Sequence, residues 1–305
     1  MTARPRVLIR QMHLWLGLTL GALFAMLGLT GSALSFYVEI DALLHPEIRV
    51  ETTAAAPGWS SPVWDRALGT ARTRHPGETG IWSFEVTGRP GVIPARYYAP
   101  HHHHDDMEML WIAPDGGRVL RDAPWGDYLM TWLYDLHMNL LAGDTGRQII
   151  GWSGLVMVLL LATGLAVWWP RGTWAKALAF KRDAVPIRRL RDLHKLPGLW
   201  SWLLLLMFVV TGVMLALPGE RDQLLSATVA PVADTPMPRS MPSERAPISV
   251  QTALTAGHRA MPDARLAWID VPGEPDGVFR LRVGVPGDPS QRFPHSLIYI
   301  DQFSG

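Results

Sequence analysis

Three stretches of this 305-residue chain contain no Asp, Glu, Lys or Arg: Gln11 to Val38, Gln148 to Pro170 and Leu196 to Gly219. Each exceeds the roughly 20 residues that a helix needs to cross a bilayer. Only elements whose backbone groups bond internally can occupy that medium, so the sequence predicts three membrane helices in a lipid bilayer. The first runs into Tyr37-Val38-Glu39 rather than a small-residue cleavage site, so it is expected to persist as an anchor and not to be removed as a signal peptide. Composition agrees. Charged residues make up 18% of the chain, against about 25% in an ordinary soluble domain. Tryptophan, which favours membrane–water interfaces, occurs 14 times.

Charge asymmetry then orients the chain. Arg4, Arg6 and Arg10 precede the first span with no acid, and Arg171 to Lys195 holds eight basic residues, including all three lysines, against Asp183 and Asp192. By contrast, Glu39 to Gly146 carries fifteen acids against eight arginines, and Glu220 to Gly305 ten against eight. Short positive segments stay in the cytoplasm, which puts the N-terminus and the basic loop inside and the two long segments outside. The expected order is an N-terminus with span one (1–38), an outer domain (39–125), a surface helix (126–147), span two (148–170), the basic loop (171–195), span three (196–219) and a second outer domain (220–305). Within the outer segments the spacing predicts helices over Pro62–Arg74 and Ile248–Ala260. It predicts strands over Ile81–Val86, Val92–Tyr98, Met107–Ile112, Arg265–Val271, Val278–Val285 and Ser296–Ile300. The Pro- and Ser-rich run Met237 to Pro247 reads as a linker.

The chain repeats itself. Arg10-x-x-His13-x-x-x-Gly17 matches Arg191-x-x-His194-x-x-x-Gly198, and Thr30-Gly31 matches Thr211-Gly212, all at an offset of 181. Trp82 matches Trp268 and Asp115 matches Asp301 at an offset of 186. The repeating unit is a helix, an outer helix-plus-strand domain and a second helix, arranged as parallel repeats about an axis along the membrane normal. A fourth span, after Gly305, would complete the second unit.

His13 and His194 occupy equivalent places near the inner ends of spans one and three, where such an axis makes them face each other. Two imidazoles from facing helices are the ligand set of a bis-histidine haem. Gly17, Gly21 and Gly198 follow on the same helix faces and would let a flat macrocycle approach. Arg10 and Arg191, one turn before each histidine, suit the propionates. His137, before the second span, is the candidate ligand of a second haem near the outer face, with Arg147 as its propionate partner and its ligand mate expected on the fourth span. The run His101–His104 reads as a solvated loop. His45, His75, His258 and His295 read as surface or packing residues.

Other chemistry is excluded residue by residue. No cysteine is present, which removes disulfides, thiolate metal sites, iron–sulfur clusters and covalent haem attachment. The net charge of +1 argues against a nucleic-acid partner. There is no phosphate-binding or dinucleotide fingerprint, so electrons must come from outside, from a membrane quinol or a cytoplasmic reductase.

Arg10-x-x-His13-x-x-x-Gly17, Leu136-His137, Gly146-Arg147, Thr163-Gly164-Leu165 with Trp168-Trp169-Pro170-Arg171, and Leu193-His194 resemble the PepSY-associated transmembrane family. The resemblance implies a bacterial inner-membrane protein, an α-helical bundle of four spans with two α+β PepSY-like periplasmic domains. It also implies haem b, two in the complete bundle, and reduction of a ferric siderophore or other Fe(III) chelate at the periplasmic face. Two other readings stay open. One is a haem-free scaffold whose PepSY-like domains bind peptides or regulate a protease. The other is a haem subunit that delivers electrons to a separate periplasmic oxidoreductase.

Overall fold

A computed structural model describes residues 3–100, 107–170, 172–228, 236–241 and 243–305. The chain forms two units, a helical one from Met1–Ser35 with Leu133–Ala233 and a second from Phe36–Trp132 with Asp234–Gly305. The run His101–His104 and Arg171 lie outside the described residues.

Among the described residues, α1 (Ala3–Leu34) and α5 (Gly143–Trp168) of the helical unit are the two single helices long and apolar enough to span a membrane. Their apolar surface is largely exposed in the protein alone, with Leu18 65% and Leu29 74% accessible. A helix that shows hydrocarbon on its outer side has lipid as its solvent, so this is a membrane protein. The two helices run antiparallel. The Arg6 guanidinium, near the start of α1, donates to the Val167 carbonyl at the end of α5 (2.9 Å), where the helix dipole favours a cation.

The third expected span is not one straight helix. It divides into α7 (Pro186–Trp200) and α8 (Trp202–Ala216), bent by 66°. Pro197 removes a backbone donor inside α7, and both the Ser201 amide and hydroxyl fold back onto the Pro197 carbonyl at 2.8 Å. The 15 residues of α8 rise about 22 Å, short of a hydrocarbon core of about 30 Å. The basic segment is correspondingly more than a loop, since it contains α6 (Trp174–Leu178) and most of α7. Helix α8 packs closely on α5. Val213 sits against Gly154, Leu217 against Gly151, and the Trp202 indole donates to the Leu161 carbonyl (3.1 Å). After α8, α9 (Pro218–Thr228) follows directly.

Span one ends earlier than expected, at Leu34, and a short helix α2 (Tyr37–Leu44) begins the second unit. The surface helix before span two is α4 (Leu129–Asn139). It stops where Leu140 and Leu141 take left-handed φ values of 55° and 57°, which turns the chain sharply into α5.

The second unit is one seven-stranded antiparallel sheet in the order β4-β3-β2-β1-β5-β6-β7. Its strands are β1 (Ile81–Glu85), β2 (Ile93–Tyr98), β3 (Met107–Ile112), β4 (Val119–Pro124), β5 (Arg265–Val271), β6 (Val278–Gly284) and β7 (Ser296–Asp301). The two outer segments therefore meet in one sheet, through β1 and β5. The register there is Trp82 opposite Val271 and Glu85 opposite Trp268. Since 268 and 271 are 82 and 85 displaced by 186, each residue faces the other's counterpart. Helices α3 (Val63–Arg74) and α10 (Val250–Ala260) add Trp64, Ala67, Val250 and Leu254 to a single apolar core shared with Phe84, Leu110, Ile269 and Leu281. The Asp65 carboxylate of α3 accepts from the Val250 and Gln251 amides (2.7 and 3.2 Å) and so caps α10 from the other segment.

Six of the seven strands lie where their alternation predicts them, within one or two residues. The seventh, β4, escapes because Arg121-Asp122 interrupts its apolar pattern. It is an edge strand whose Arg121 is stacked between Trp111 and Tyr128 (4.3 and 4.4 Å) and paired with buried Asp41 (3.3 Å). The expected linker is tied down at Ser240, which is buried, takes a hydrogen bond from the Gln302 amide (3.0 Å) and donates its own amide to the Asp276 carbonyl (2.8 Å).

Candidate functional site

The rings of His13 on α1 and His194 on α7 face each other with centroids 6.3 Å apart and planes at 59°. The residues paired by the repeat are thus brought together in space. His13 stands on α1, which packs on α5, and His194 stands on α7, on the N-terminal side of the 66° bend.

His13 is held from behind. Its Nδ1 lies 3.2 Å from the Leu160 carbonyl and 3.2 Å from the Thr163 hydroxyl, both on α5. Thr163 Oγ1 donates its own proton back to the Leu160 carbonyl (2.9 Å). Both neighbours of Nδ1 are therefore acceptors, and the proton of the neutral ring belongs on Nδ1. Nε2 keeps its lone pair, which is the nitrogen a metal binds. Gly164 makes the fit possible, since a Cβ there would lie 2.9 Å from His13 Cε1.

His137 on α4 repeats the arrangement on another helix. Its Nδ1 is 3.0 Å from the Thr30 hydroxyl and its ring is hydrogen-bonded to the Leu27 backbone, while Thr30 Oγ1 donates to the Met26 carbonyl (2.9 Å). A Cβ on Gly31 would lie 2.9 Å from His137 Cε1, as at Gly164. Burial lowers the affinity of His137 for a second proton, opposed by the Leu27 hydrogen bond, so burial favours the neutral, ligating form. Thr211 on α8 shows the same hydroxyl geometry, donating to the Met207 and Phe208 carbonyls (2.9 and 3.1 Å), but no described atom lies within 4 Å of a Cβ built on Gly212.

The remaining candidates are distributed around these rings. A Cβ on Gly17, Gly21 or Gly198 would likewise meet open space, so no packing within the described protein requires glycine at these three positions. Arg10 and Arg191 are exposed one turn before each histidine. Arg147 pairs with Asp144 (2.9 Å), while its Nε is buried and unpaired. Among the described residues no three His, Asp or Glu side chains converge on one point. The facing imidazoles therefore supply two donors, enough for a metal that brings its other ligands with it. Of the outer histidines, His75 pairs with Asp122 (3.0 Å), His45 lies 3.3 Å from Glu47, and His258 stacks on Trp59 (5.2 Å), all of which fits a packing role.

The sequence reading assigned no role to Thr30, Gly31, Thr163 and Gly164, although Thr-Gly stands in all three uncharged stretches. The motif was visible, but the ring it holds comes from a different helix each time.

Among known proteins, Uncharacterized protein PA4219 of Pseudomonas aeruginosa is 35% identical over 98 residues, which is 32% of this chain and 24% of that relative. The chain thus spans about a quarter of the length of the curated relative it matches. The profile of the PepSY-associated TM region matches residues 10–295, a stretch that holds most of α1, all of α5, all three candidate histidines and six of the seven strands. On that match, the chain belongs to the PepSY-associated TM region family.

Proposed function

We propose that this protein is a b-type haem electron-transfer protein of the bacterial inner membrane that reduces an Fe(III) chelate of the siderophore class at the periplasmic face, releasing Fe(II). The observation that carries the reading is the facing pair His13–His194, 6.3 Å between ring centroids. Metal–imidazole bonds of about 2 Å on either side, plus the short distance from ring nitrogen to ring centre, suit one shared metal at that separation. Two protein donors also match a porphyrin, which fills the other positions of its iron. Bound there, haem b supplies one-electron transfer at a site without cysteine.

The chain's own residues then have distinct tasks. His13 presents Nε2 from a ring fixed by Thr163 and Leu160. His137 presents the same nitrogen from the Thr30 and Leu27 pair and is the ligand for a second haem. Arg10, Arg191 and Arg147 offer guanidinium groups for propionates. Gly17 and Gly198 leave the helix surfaces clear. The charge asymmetry supports a cytoplasmic N-terminus, which sets the His13–His194 pair near the inner face, where a quinol or a cytoplasmic reductase would donate. The symmetric β1–β5 register supports two PepSY-like halves joined back to back. Reduction suits release, because hard oxygen donors hold Fe(III) far better than Fe(II).

A dithionite-minus-oxidised spectrum of the purified protein is the first test, with an α band of b type expected. His13→Ala and His194→Ala should each remove the same haem and spare any other. A featureless spectrum, or full haem content in either variant, would overturn the reading and favour the haem-free scaffold. Pre-reduced protein mixed alone with a ferric siderophore should be reoxidised as Fe(II) appears. If Fe(II) appears only when a second periplasmic protein is added, the chain is an electron-delivery subunit instead.

A further inference from the structure

We infer that Thr30-Gly31 and Thr163-Gly164 are sockets that hold His137 and His13 as Nδ1–H tautomers, making these four residues positioning residues for the metal-binding nitrogen. Two independent places carry the inference. In each, a threonine on a spanning helix commits its hydroxyl proton to a carbonyl of its own helix, Thr163 to Leu160 and Thr30 to Met26 (both 2.9 Å). Its oxygen is then left as an acceptor toward Nδ1, at 3.2 and 3.0 Å. In each, the carbonyl three residues before the threonine is a second acceptor for the ring: Leu160 lies 3.2 Å from His13 Nδ1, and Leu27 is hydrogen-bonded to His137. In each, the following glycine receives Cε1 at a distance no other residue permits. The neutral side chain of a histidine in water prefers its proton on Nε2, so the sockets invert the solution preference. The inversion has two effects: Nε2 faces away from the socket with its lone pair available, and an acceptor on Nδ1–H makes the ring a stronger donor to a metal.

This inference deepens the haem reading, but its first test does not depend on haem. In haem-free protein labelled with 15N-histidine, the Nδ1 and Nε2 shifts report the tautomer. Wild-type His13 and His137 are expected as Nδ1–H. Thr163→Val leaves the Leu160 carbonyl as the remaining acceptor at Nδ1, so His13 alone should gain a minor Nε2–H fraction; Thr30→Val should do the same to His137 alone, and Thr→Ser at either position should restore the wild-type spectrum. Thr211→Val, in the third Thr-Gly pair, should leave both rings unchanged. Haem-loaded protein gives the second readout. Thr163→Val should weaken haem retention at the His13 site about 10- to 100-fold and raise the midpoint potential of that haem, with serine again restoring both. Nε2–H rings in the wild type, or valine variants with unchanged tautomers, would overturn the sockets. A protein with Nδ1–H rings that binds no haem would keep the sockets and overturn the haem reading.

Discussion

Glycine has opposite meanings at different points of the helical unit. At Gly164 a Cβ would sit 2.9 Å from the His13 ring, whereas at Gly17, on His13's own helix, it would meet nothing within 4 Å. Gly164→Ala is therefore expected to cost about 1–3 kcal/mol by overpacking. Gly17→Ala should be neutral or stabilising by up to about 1 kcal/mol through helix propensity. Thermal unfolding of the two haem-free variants in detergent separates them. If the open side of Gly17 serves a macrocycle, the same stable variant should also lose haem. A second residue-scale prediction concerns Asp301. Its carboxylate accepts from the Phe303 and Ser304 amides and the Ser304 hydroxyl (3.0, 2.7 and 2.9 Å), and the backbone donors hold its pKa down at about 2. A depressed carboxyl contributes its stability above the unfolded value of about 3.9 and loses it as the pH falls through about 2. The stability gap between wild type and Asp301→Asn should therefore be full at neutral pH and close between about pH 4 and pH 2. A gap independent of pH in chemical denaturation would contradict this.

At the scale of elements, one carboxylate ties together the two segments of the second unit. Asp65, in the first turn of α3, caps α10, although 185 residues separate it from Val250. Asp65→Ala should cost about 0.5–2 kcal/mol, the usual loss for an N-cap, and should raise amide exchange at the start of α10 first. The Ser249 hydroxyl, which also bonds the Thr252 amide (3.1 Å), remains in place and limits the damage. The corner between α4 and α5 is a different device. Left-handed Leu140 and Leu141 cost of order 1 kcal/mol or more each, and the Gly146 position lies hard against the Asn139 carbonyl. That strained turn fixes where α4 ends and thereby where His137 reaches the Thr30 socket.

For the whole molecule, the decisive join in the second unit is β1 against β5. Strand β1 is central only because the C-terminal segment pairs with it. The buried Glu85 carboxylate is held by Nε and Nη2 of Arg292 (2.7 Å each) from that segment. Residues 36–132 produced alone should leave β1 as an exposed edge strand, with its own Trp82 and Phe84 in a half-built core. Size-exclusion chromatography should find that fragment aggregated. A monomeric fragment with cooperative unfolding would mean that each half is self-sufficient.

The two spanning helices, most strands and the pairing of His13 with His194 could be read from the sequence. Charge-free runs and period-two alternation are written in the order of residues, because solvent and backbone geometry impose them locally, and the histidine pair follows from matched motifs at an offset of 181. The bend at Ser201 was foreshadowed by Pro197, yet its 66° depends on what α7 and α8 each pack against. Strand β4 has no alternation to betray it, since its arginine is buried by aromatic rings contributed from elsewhere. The fusion of both segments into one sheet and the roles of the Thr-Gly pairs were out of reach for the same reason. Each depends on partners more than a hundred residues apart in the chain, and linear spacing carries no record of which distant surface a carbonyl, a hydroxyl or a bare glycine will meet.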